Sequence, residues 1–154
     1  MTVTSTDRIE KKVLLRAPLA RVWKALADSE AFGRWFGVKF EGPFAPGARV
    51  QGRITHEAYR DLPFEMTIET MEEERLFSWR WHPGAVDATV DYSSEPSTLV
   101  VFELEEVEGG TQLSVVESGF DRIPLARRAE AYRGNDEGWS AQMEAIKGYV
   151  DAAA

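Results

Sequence analysis

The sequence predicts an α+β domain in which helices lie on one face of an antiparallel sheet of about six to seven strands. Strand-like alternation recurs through the middle of the chain, most clearly in Phe77-Ser78-Trp79-Arg80-Trp81, where aromatic side chains share one face of the strand and polar ones the other. Apolar residues recur with helical spacing near both ends. The strands are grouped together instead of alternating with helices, which favours an antiparallel sheet.

The first predicted elements are a strand and two short helices. The strand runs from Ile9 to Arg16, and Pro18 suits the first turn of a helix. The apolar face of this helix carries Leu19, Val22, Trp23 and Leu26. We predict that Ser29 caps a second helix and that Gly37 ends it. The aromatic side chains of that helix are Phe32, Trp35 and Phe36.

Six segments then have strand character, at residues 38–44, 49–57, 63–71, 75–82, 97–107 and 112–119. Glu108-Gly109-Gly110-Thr111 predicts a hairpin turn between the last two. The 83–96 connection is long for an ordinary loop and is typical of a flap, in which Asp91 and Tyr92 could close over a pocket mouth. Arg80 alternates with tryptophans and is expected on the outer face of the sheet.

The C-terminal region predicts a short helix or helical loop over 124–133, a break at Gly134 and a final helix capped by Asn135 or Asp136. Four apolar residues then recur on one helical face: Trp139, Met143, Ile146 and Val150. That face must be buried, and the sheet offers the large apolar surface. No linker or repeat divides the chain, so we expect a single domain over 1–154.

Composition excludes several classes of function. The net charge is −8, with 18 basic and 26 acidic residues, so the basic stripe that nucleic acids or anionic lipids require is not expected. The chain has no cysteine, which excludes cysteine-ligated zinc and iron–sulfur clusters. His56 and His82 lack ligand spacing, and we expect no metal or cofactor. A polar N-terminus without a signal sequence and the lack of an 18-residue apolar run predict a cytoplasmic protein without membrane insertion.

The order of elements, together with specific motifs, resembles the family of homologues of the heat-shock-protein-90 ATPase activator. The matching segments run from about Ile9 to Val150 and are Ala17-Pro18, Val22-Trp23, Leu26-Ala27, Trp35-Phe36-Gly37, Phe77-Ser78-Trp79-Arg80-Trp81, Ser97-Thr98-Leu99-Val100, Gly109-Gly110-Thr111, Glu117-Ser118-Gly119-Phe120 and Gly138-Trp139. This family belongs to the START-related superfamily, which includes polyketide cyclases. The resemblance implies a helix-grip fold, in which a curved sheet wraps around the long C-terminal helix and a hydrophobic cavity lies between them.

The resemblance also implies which side chains would wall such a cavity. They are Trp35, Phe36, Phe64, Met66, Phe77, Trp79, Trp81, Phe102, Trp139 and Met143. The alternative is that the same residues fill a solid core. Two polar residues share strand faces with apolar neighbours and are expected to point inward, His56 and Glu117. Either could contact a ligand or act as a general acid or base.

Three functions remain open from the sequence. The first is binding of a small hydrophobic or amphipathic molecule, such as a lipid or an aromatic metabolite, without catalysis. The second is a cyclase, dehydratase or hydrolase acting on an aromatic or polyketide-like substrate. The third is a chaperone-linked interaction module. The co-chaperone that names the family has a further N-terminal domain that contacts the chaperone, and this chain has no room for it. We therefore do not expect direct stimulation of a chaperone ATPase.

Overall fold

A computed structural model describes residues 7–55, 57, 60, 62–82 and 96–152. The element order is a strand, two short helices, six strands and a long helix. In full, the elements are β1 (Arg8–Leu15), α1 (Leu19–Ala27), α2 (Ser29–Phe36), β2 (Val38–Phe40), β3 (Arg49–Ile54), β4 (Pro63–Glu72), β5 (Leu76–Trp81), β6 (Thr98–Val107), β7 (Gly110–Ser118), a 3₁₀ turn (Phe120–Arg122) and α3 (Leu125–Ala152).

The seven strands form one curved antiparallel sheet in the order β1-β7-β6-β5-β4-β3-β2. Strands β2 to β7 are joined in sequence, each pairing with the next. Strand β1 instead pairs with β7, from Arg8 opposite Ser118 to Leu15 opposite Thr111. Helices α1 and α2 therefore connect the two opposite edges of the sheet. The predicted α+β helix-grip class is confirmed.

Helix α3 packs against β1 and against α1 and α2. The four apolar residues predicted to share one face of this helix are all buried: Trp139, Met143, Ile146 and Val150. Polar contacts fix its ends: Asp151 accepts a hydrogen bond from the Arg16 backbone, and the Tyr132 hydroxyl donates to the Arg8 carbonyl. No helix among the described residues is long and apolar enough to span a membrane.

The predicted break at Gly134 is wrong, because α3 is one continuous helix of 28 residues. Asn135 and Asp136 lie inside it and cap nothing. A helical glycine costs only about 1 kcal/mol, and tertiary contacts on the first half of the helix offset this. Ala131 is buried there, and the Tyr132 ring packs edge-on against Phe120.

Two further local predictions differ from the structure. Asp28, not Ser29, caps α2, because its carboxylate accepts the Ala31 backbone N–H at 3.1 Å. Strand β2 ends at Phe40 and not at residue 44, since Gly42 is a poor strand residue and Pro43 has no N–H to donate. Gly37 ends α2 in the left-handed conformation as predicted. His56, Asp91 and Tyr92 lie outside the described residues.

Helix α2 and strand β2 approach each other closely at Gly33. A Cβ atom added to Gly33 would lie 2.1 Å from the Val38 carbonyl oxygen. The obstructing atom belongs to the backbone, so it cannot move aside as a side chain could. This contact sets the position of Trp35 and Phe36, which follow on the same helix.

We expect Gly33→Ala to lower the free energy of unfolding by about 1–3 kcal/mol or more, because the added methyl overpacks a backbone contact. Gly148→Ala is the matched control, since a Cβ there meets nothing within 4 Å. It should raise the free energy of unfolding by about 0.5–1 kcal/mol through helix propensity. Urea unfolding of both variants measures the difference. Equal changes in the free energy of unfolding for the two variants would contradict the close approach of α2 and β2 at Gly33.

The outer face of β3 and β4 carries a small charge network. Arg49 pairs with Glu65 at 2.7 Å, and the Gln51 amide donates to the same carboxylate. Partial burial opposes ionisation of Glu65, but the hydrogen bonds from Arg49 and Gln51 outweigh it and lower the pKa of this carboxyl below its ordinary value of 4.5. The ionised form therefore stabilises the fold.

A lowered pKa contributes stability above pH 4.5 and loses it as the pH falls through the folded-state value. We expect Glu65→Gln to be less stable than the wild type at neutral pH, and the difference to shrink in acid. The difference in the free energy of unfolding should stay under about 1 kcal/mol, because the Glu65 side chain is 40% exposed and solvent screens its charge. Arg49→Gln should remove most of the same pH dependence. Urea unfolding from pH 7 to pH 3 measures the difference in the free energy of unfolding between each variant and the wild type. A difference that grew in acid for Glu65→Gln would contradict the prediction.

Candidate functional site

The space between the sheet and the helices is occupied by a cluster of aromatic rings centred on Trp79 of β5. Trp79 is fully buried, and six other rings have their centroids 5.4–6.4 Å from its own. These neighbours are Phe32, Phe36, Phe77, Trp81, Phe102 and Trp139. The centre of the predicted cavity is thus filled by side chains, and the open space lies at one side of the cluster.

One polar atom inside this cluster has no hydrogen-bond partner among the residues that the structure describes. The indole Nε1–H of Trp79 is buried and donates to no acceptor within the described part of the chain. By contrast, the Trp35 indole donates to the Ala25 carbonyl at 2.8 Å. Buried donors are nearly always paired, so an orphan is a reason to look for a function.

Glu117 lies where three neighbouring strands end. It is near the end of β7, Thr98 begins β6, and Trp81 ends β5 directly opposite Thr98. The side chain of Glu117 is fully buried. None of the ion pairs among the described residues includes it.

Hydrogen bonds alone satisfy the Glu117 carboxylate. Oε2 accepts from the Trp81 indole at 2.7 Å and from the Thr98 hydroxyl at 2.5 Å. Oε1 accepts from the Asn135 amide and from the Trp139 indole, both at 2.8 Å. Indole nitrogens can only donate, so this arrangement suits an ionised carboxylate with all four lone-pair positions used.

A cleft of about 100 Å³ opens beside this network. It is lined by Phe36, Trp81, Asn135, Gly138, Trp139 and Gln142. Gly138 faces open space, since a Cβ added there would meet nothing within 4 Å. The Gln142 amide nitrogen donates to the Phe36 carbonyl at 2.9 Å and ties α3 to the end of α2. Three of the lining side chains, Trp81, Asn135 and Trp139, donate to Glu117.

A second depression is larger but differs in character. It measures about 730 Å³ and lies at the β2–β3 edge of the sheet. Five of its seven described lining residues are charged or polar: the lining is Lys39, Phe40, Glu41, Arg53, Ile54, Thr55 and Arg60. It shares no lining residue with the aromatic cleft. We place the candidate site at the smaller cleft, because that cleft adjoins the buried carboxylate and the rings around the orphan donor.

The structure brings most of the sequence-predicted site residues to one side of the sheet. Met66, Phe77, Trp79, Phe102, Trp139 and Met143 are buried in the core, and Trp35 is buried beside them. Phe36, Phe64 and Trp81 are only partly buried and form the side of the cluster nearest the cleft. Glu117 points inward. Arg80 lies on the opposite face and pairs with Glu69 at 2.8 Å, as the alternation predicts.

Sequence analysis missed Thr98, Asn135, Gly138 and Gln142 as site residues. Gly138 and Gln142 lie within the predicted final helix, but nothing in the sequence marked them as site residues. Asn135 and Trp139 are spaced i, i+4, and a helix continuing through Gly134 would have placed both on one side. The predicted helix break hid that spacing. Thr98 carries no comparable signal, because its role depends on the register between β5, β6 and β7.

The geometry bears on acid–base chemistry. A general base needs a free acceptor position facing the substrate, and the four hydrogen bonds to Glu117 occupy its oxygens. The predicted partner His56 lies outside the described residues. Over the chain as described, no group of three or more His, Asp or Glu side chains is arranged to hold a metal ion.

Comparisons with known proteins agree with the resemblance seen in the sequence. A family model described as "Activator of Hsp90 ATPase homolog 1-like protein" matches residues 16–151, which confirms that resemblance. A comparison with curated proteins finds no match.

Solved structures share the fold. Protein MLL2253 from Mesorhizobium loti is 20% identical with a TM-score of 0.75, and the match covers 96% of this chain and 98% of that one. A protein from Arthrobacter aurescens is 16% identical with a TM-score of 0.77, covering 97% and 90%. DynU16, from the dynemicin biosynthetic locus, is 22% identical with a TM-score of 0.72, covering 96% of this chain and 48% of that chain. At these identities the likeness concerns the fold alone.

We expect Glu117→Gln to lower the free energy of unfolding by about 1–3 kcal/mol. The NH₂ of the new glutamine would replace one carboxylate oxygen, and the two groups that now donate to that oxygen would lose their acceptor. The indole N–H resonances of Trp81 and Trp139 should both shift in proton NMR spectra. Glu105→Gln is the control, since Glu105 is exposed on β6 and should change stability by no more than about 0.5 kcal/mol. Unchanged indole resonances in Glu117→Gln would contradict the network.

Proposed function

We propose that this chain, which belongs to the Activator of Hsp90 ATPase homolog 1-like family, binds a small hydrophobic or amphipathic molecule at the aromatic cluster. The molecule enters through the cleft. The observation that carries the proposal is the orphan Nε1–H of Trp79. A fully buried donor without an acceptor costs about 1–3 kcal/mol. A ligand with an acceptor atom would recover that cost.

The partial burial of two rings beside Trp79 supports entry of the ligand from the cleft side. Phe36 and Trp81 each contact the Trp79 ring and are only partly buried. Movement of these two side chains would extend the cleft of about 100 Å³ toward Trp79. Ligand sites are typically apolar with a few placed polar groups, and the cluster with one free indole donor fits that description.

The proposed site keeps the walls expected from the sequence and assigns Glu117 a different part. The walls are Trp35, Phe36, Phe64, Met66, Phe77, Trp79, Trp81, Phe102, Trp139 and Met143. Glu117 holds the Trp81 and Trp139 indoles in place, and so acts as a positioning residue.

Two observations favour binding over the other functions. The hydrogen bonds of Glu117 leave it poorly suited to abstract a proton, which weakens the cyclase, dehydratase or hydrolase alternative. An interaction module calls for a contiguous exposed apolar patch of several hundred Å². Among the described residues, the exposed large apolar side chains are Leu14 and Leu125, which lie on different elements.

A variant that fills the cleft tests this proposal. Gly138→Leu adds a side chain where a Cβ meets open space, so it should occupy the cleft without straining the fold. Gly148→Leu is the matched control, on the same helix and equally unobstructed, but not among the lining residues. The probe is N-phenyl-1-naphthylamine, an uncharged aromatic molecule whose fluorescence rises in apolar surroundings.

We expect the wild type and Gly148→Leu to bind the probe saturably at one site, and Gly138→Leu to bind at least about tenfold more weakly, a change of about 1.4 kcal/mol. Both variants should unfold at or above the wild-type temperature, because leucine favours helix over glycine. Absence of saturable binding to the wild type, or equal binding by both variants, would refute the proposal.

A further inference from the structure

We infer that the cleft recognises a small alkylammonium cation, such as a quaternary ammonium group, through the rings of Phe36, Trp81 and Trp139. The inference rests on the proposed function and specifies it, since the ammonium group would be the polar end of the bound molecule. Three features of the cleft support a cation: its rings, the buried carboxylate bonded to two of them, and a described lining without a cationic side chain.

The three aromatic residues that line the cleft also lie next to one another. Their centroids form a nearly equilateral triangle with sides of 5.8 Å (Trp81 to Trp139), 6.0 Å (Phe36 to Trp81) and 6.2 Å (Phe36 to Trp139). Aromatic rings attract cations within about 6 Å of the centroid, and tryptophan does so most strongly. A cation seated over the centre of this triangle would lie within that distance of all three rings.

A buried carboxylate lies at the N–H edges of two of these rings, those of Trp81 and Trp139. The Glu117 carboxylate is fully buried, is included in none of the ion pairs of the described residues, and accepts the indole N–H of both Trp81 and Trp139. A hydrogen bond to a carboxylate is stronger inside a protein than in water, and it shifts electron density onto the ring that donates it. Donation to a carboxylate therefore makes both indoles more electron-rich and strengthens their attraction for a cation.

The remaining lining residues favour a cation over an anion. Asn135 and Gln142 each use the amide nitrogen within the protein, toward Glu117 and toward the Phe36 carbonyl. Among the hydrogen bonds of the described residues, none uses the side-chain oxygens of these two amides, which can only accept. The described lining residues include no lysine or arginine, and the chain as a whole carries a net charge of −8.

The volume limits the group that fits. A cleft of about 100 Å³ corresponds to roughly three water molecules at ~30 Å³ each. That space suits a compact head group with a few carbon atoms, and the open position over Gly138 leaves room for its substituents.

Choline and its uncharged carbon isostere, 3,3-dimethyl-1-butanol, test the inference, because they have the same shape and differ in charge. We expect choline to shift the indole N–H resonances of Trp81 and Trp139 and to bind about tenfold more tightly than the isostere. Equal affinity for the two compounds would overturn the inference, and so would binding of the isostere alone.

A pair of variants separates ring electrostatics from apolar contact. Phe36→Leu keeps an apolar side chain in the cleft and removes one π face, so it should weaken choline binding about threefold or more while leaving the isostere unchanged. Phe40→Leu is the matched control, because Phe40 packs against Phe32 and Phe44 outside the cleft. Parallel losses for choline and isostere in Phe36→Leu would overturn the inference.

The ammonium group could belong to a free metabolite or to a lipid. Monomeric dodecylphosphocholine distinguishes the sources. If it binds more tightly than choline and loses affinity in Phe36→Leu, the cleft recognises a lipid head group. If choline alone binds, the cleft takes a free ammonium compound.

The proposed function and this inference fail separately. Saturable binding of N-phenyl-1-naphthylamine together with no preference for choline would leave an apolar site and refute cation recognition. Absence of binding for the naphthylamine, choline and dodecylphosphocholine would refute both.

Discussion

The hydrogen bonding of one buried carboxylate connects the parts of this fold that matter for function. Glu117 joins side chains from the ends of three neighbouring strands to the middle of the long helix through Trp81, Thr98, Asn135 and Trp139. An unpaired charge in a protein interior is expensive. The fold meets that cost with four donors in place of a cation, so each donor must keep its position. The orientation of both indoles, and hence the shape of the cleft, follows from that requirement.

The aromatic interior combines dense packing with one unsatisfied group. Rings in tilted and edge-to-face contact around Trp79 stabilise the core beyond the burial of their area, yet its indole N–H has no acceptor within the described residues. A core selected only for stability would tolerate phenylalanine at this position. The orphan donor is the observation on which we base the proposal that this core admits a ligand, a choice that the aromatic pattern of the sequence left open.

Periodicity predicted the fold well because burial enforces it. The alternation of Phe77, Trp79 and Trp81 and the helical spacing from Trp139 to Val150 both follow from facing one core. The sequence was less informative wherever a contact between distant segments decided the outcome. Helix α3 continues through Gly134 because the tertiary contacts around it offset one glycine, and Asn135 is a Glu117 partner because three strands end together. The cap at Asp28 instead of Ser29 reflects a choice between adjacent residues of similar propensity.

The pairing of β1 with β7 affects how the protein acquires its structure. Arg8 lies opposite Ser118 and Leu15 opposite Thr111, so the first of the seven described strands pairs with the seventh. Pairings between such distant segments slow folding, because the entropic cost of closing a long loop comes before any stabilising contact between the segments forms. Until β7 emerges, the edge of β1 stays unpaired and open to other chains. Glu117 lies on β7 and two of its donors lie on α3, so the carboxylate network and its cleft can form only after both elements have been synthesised.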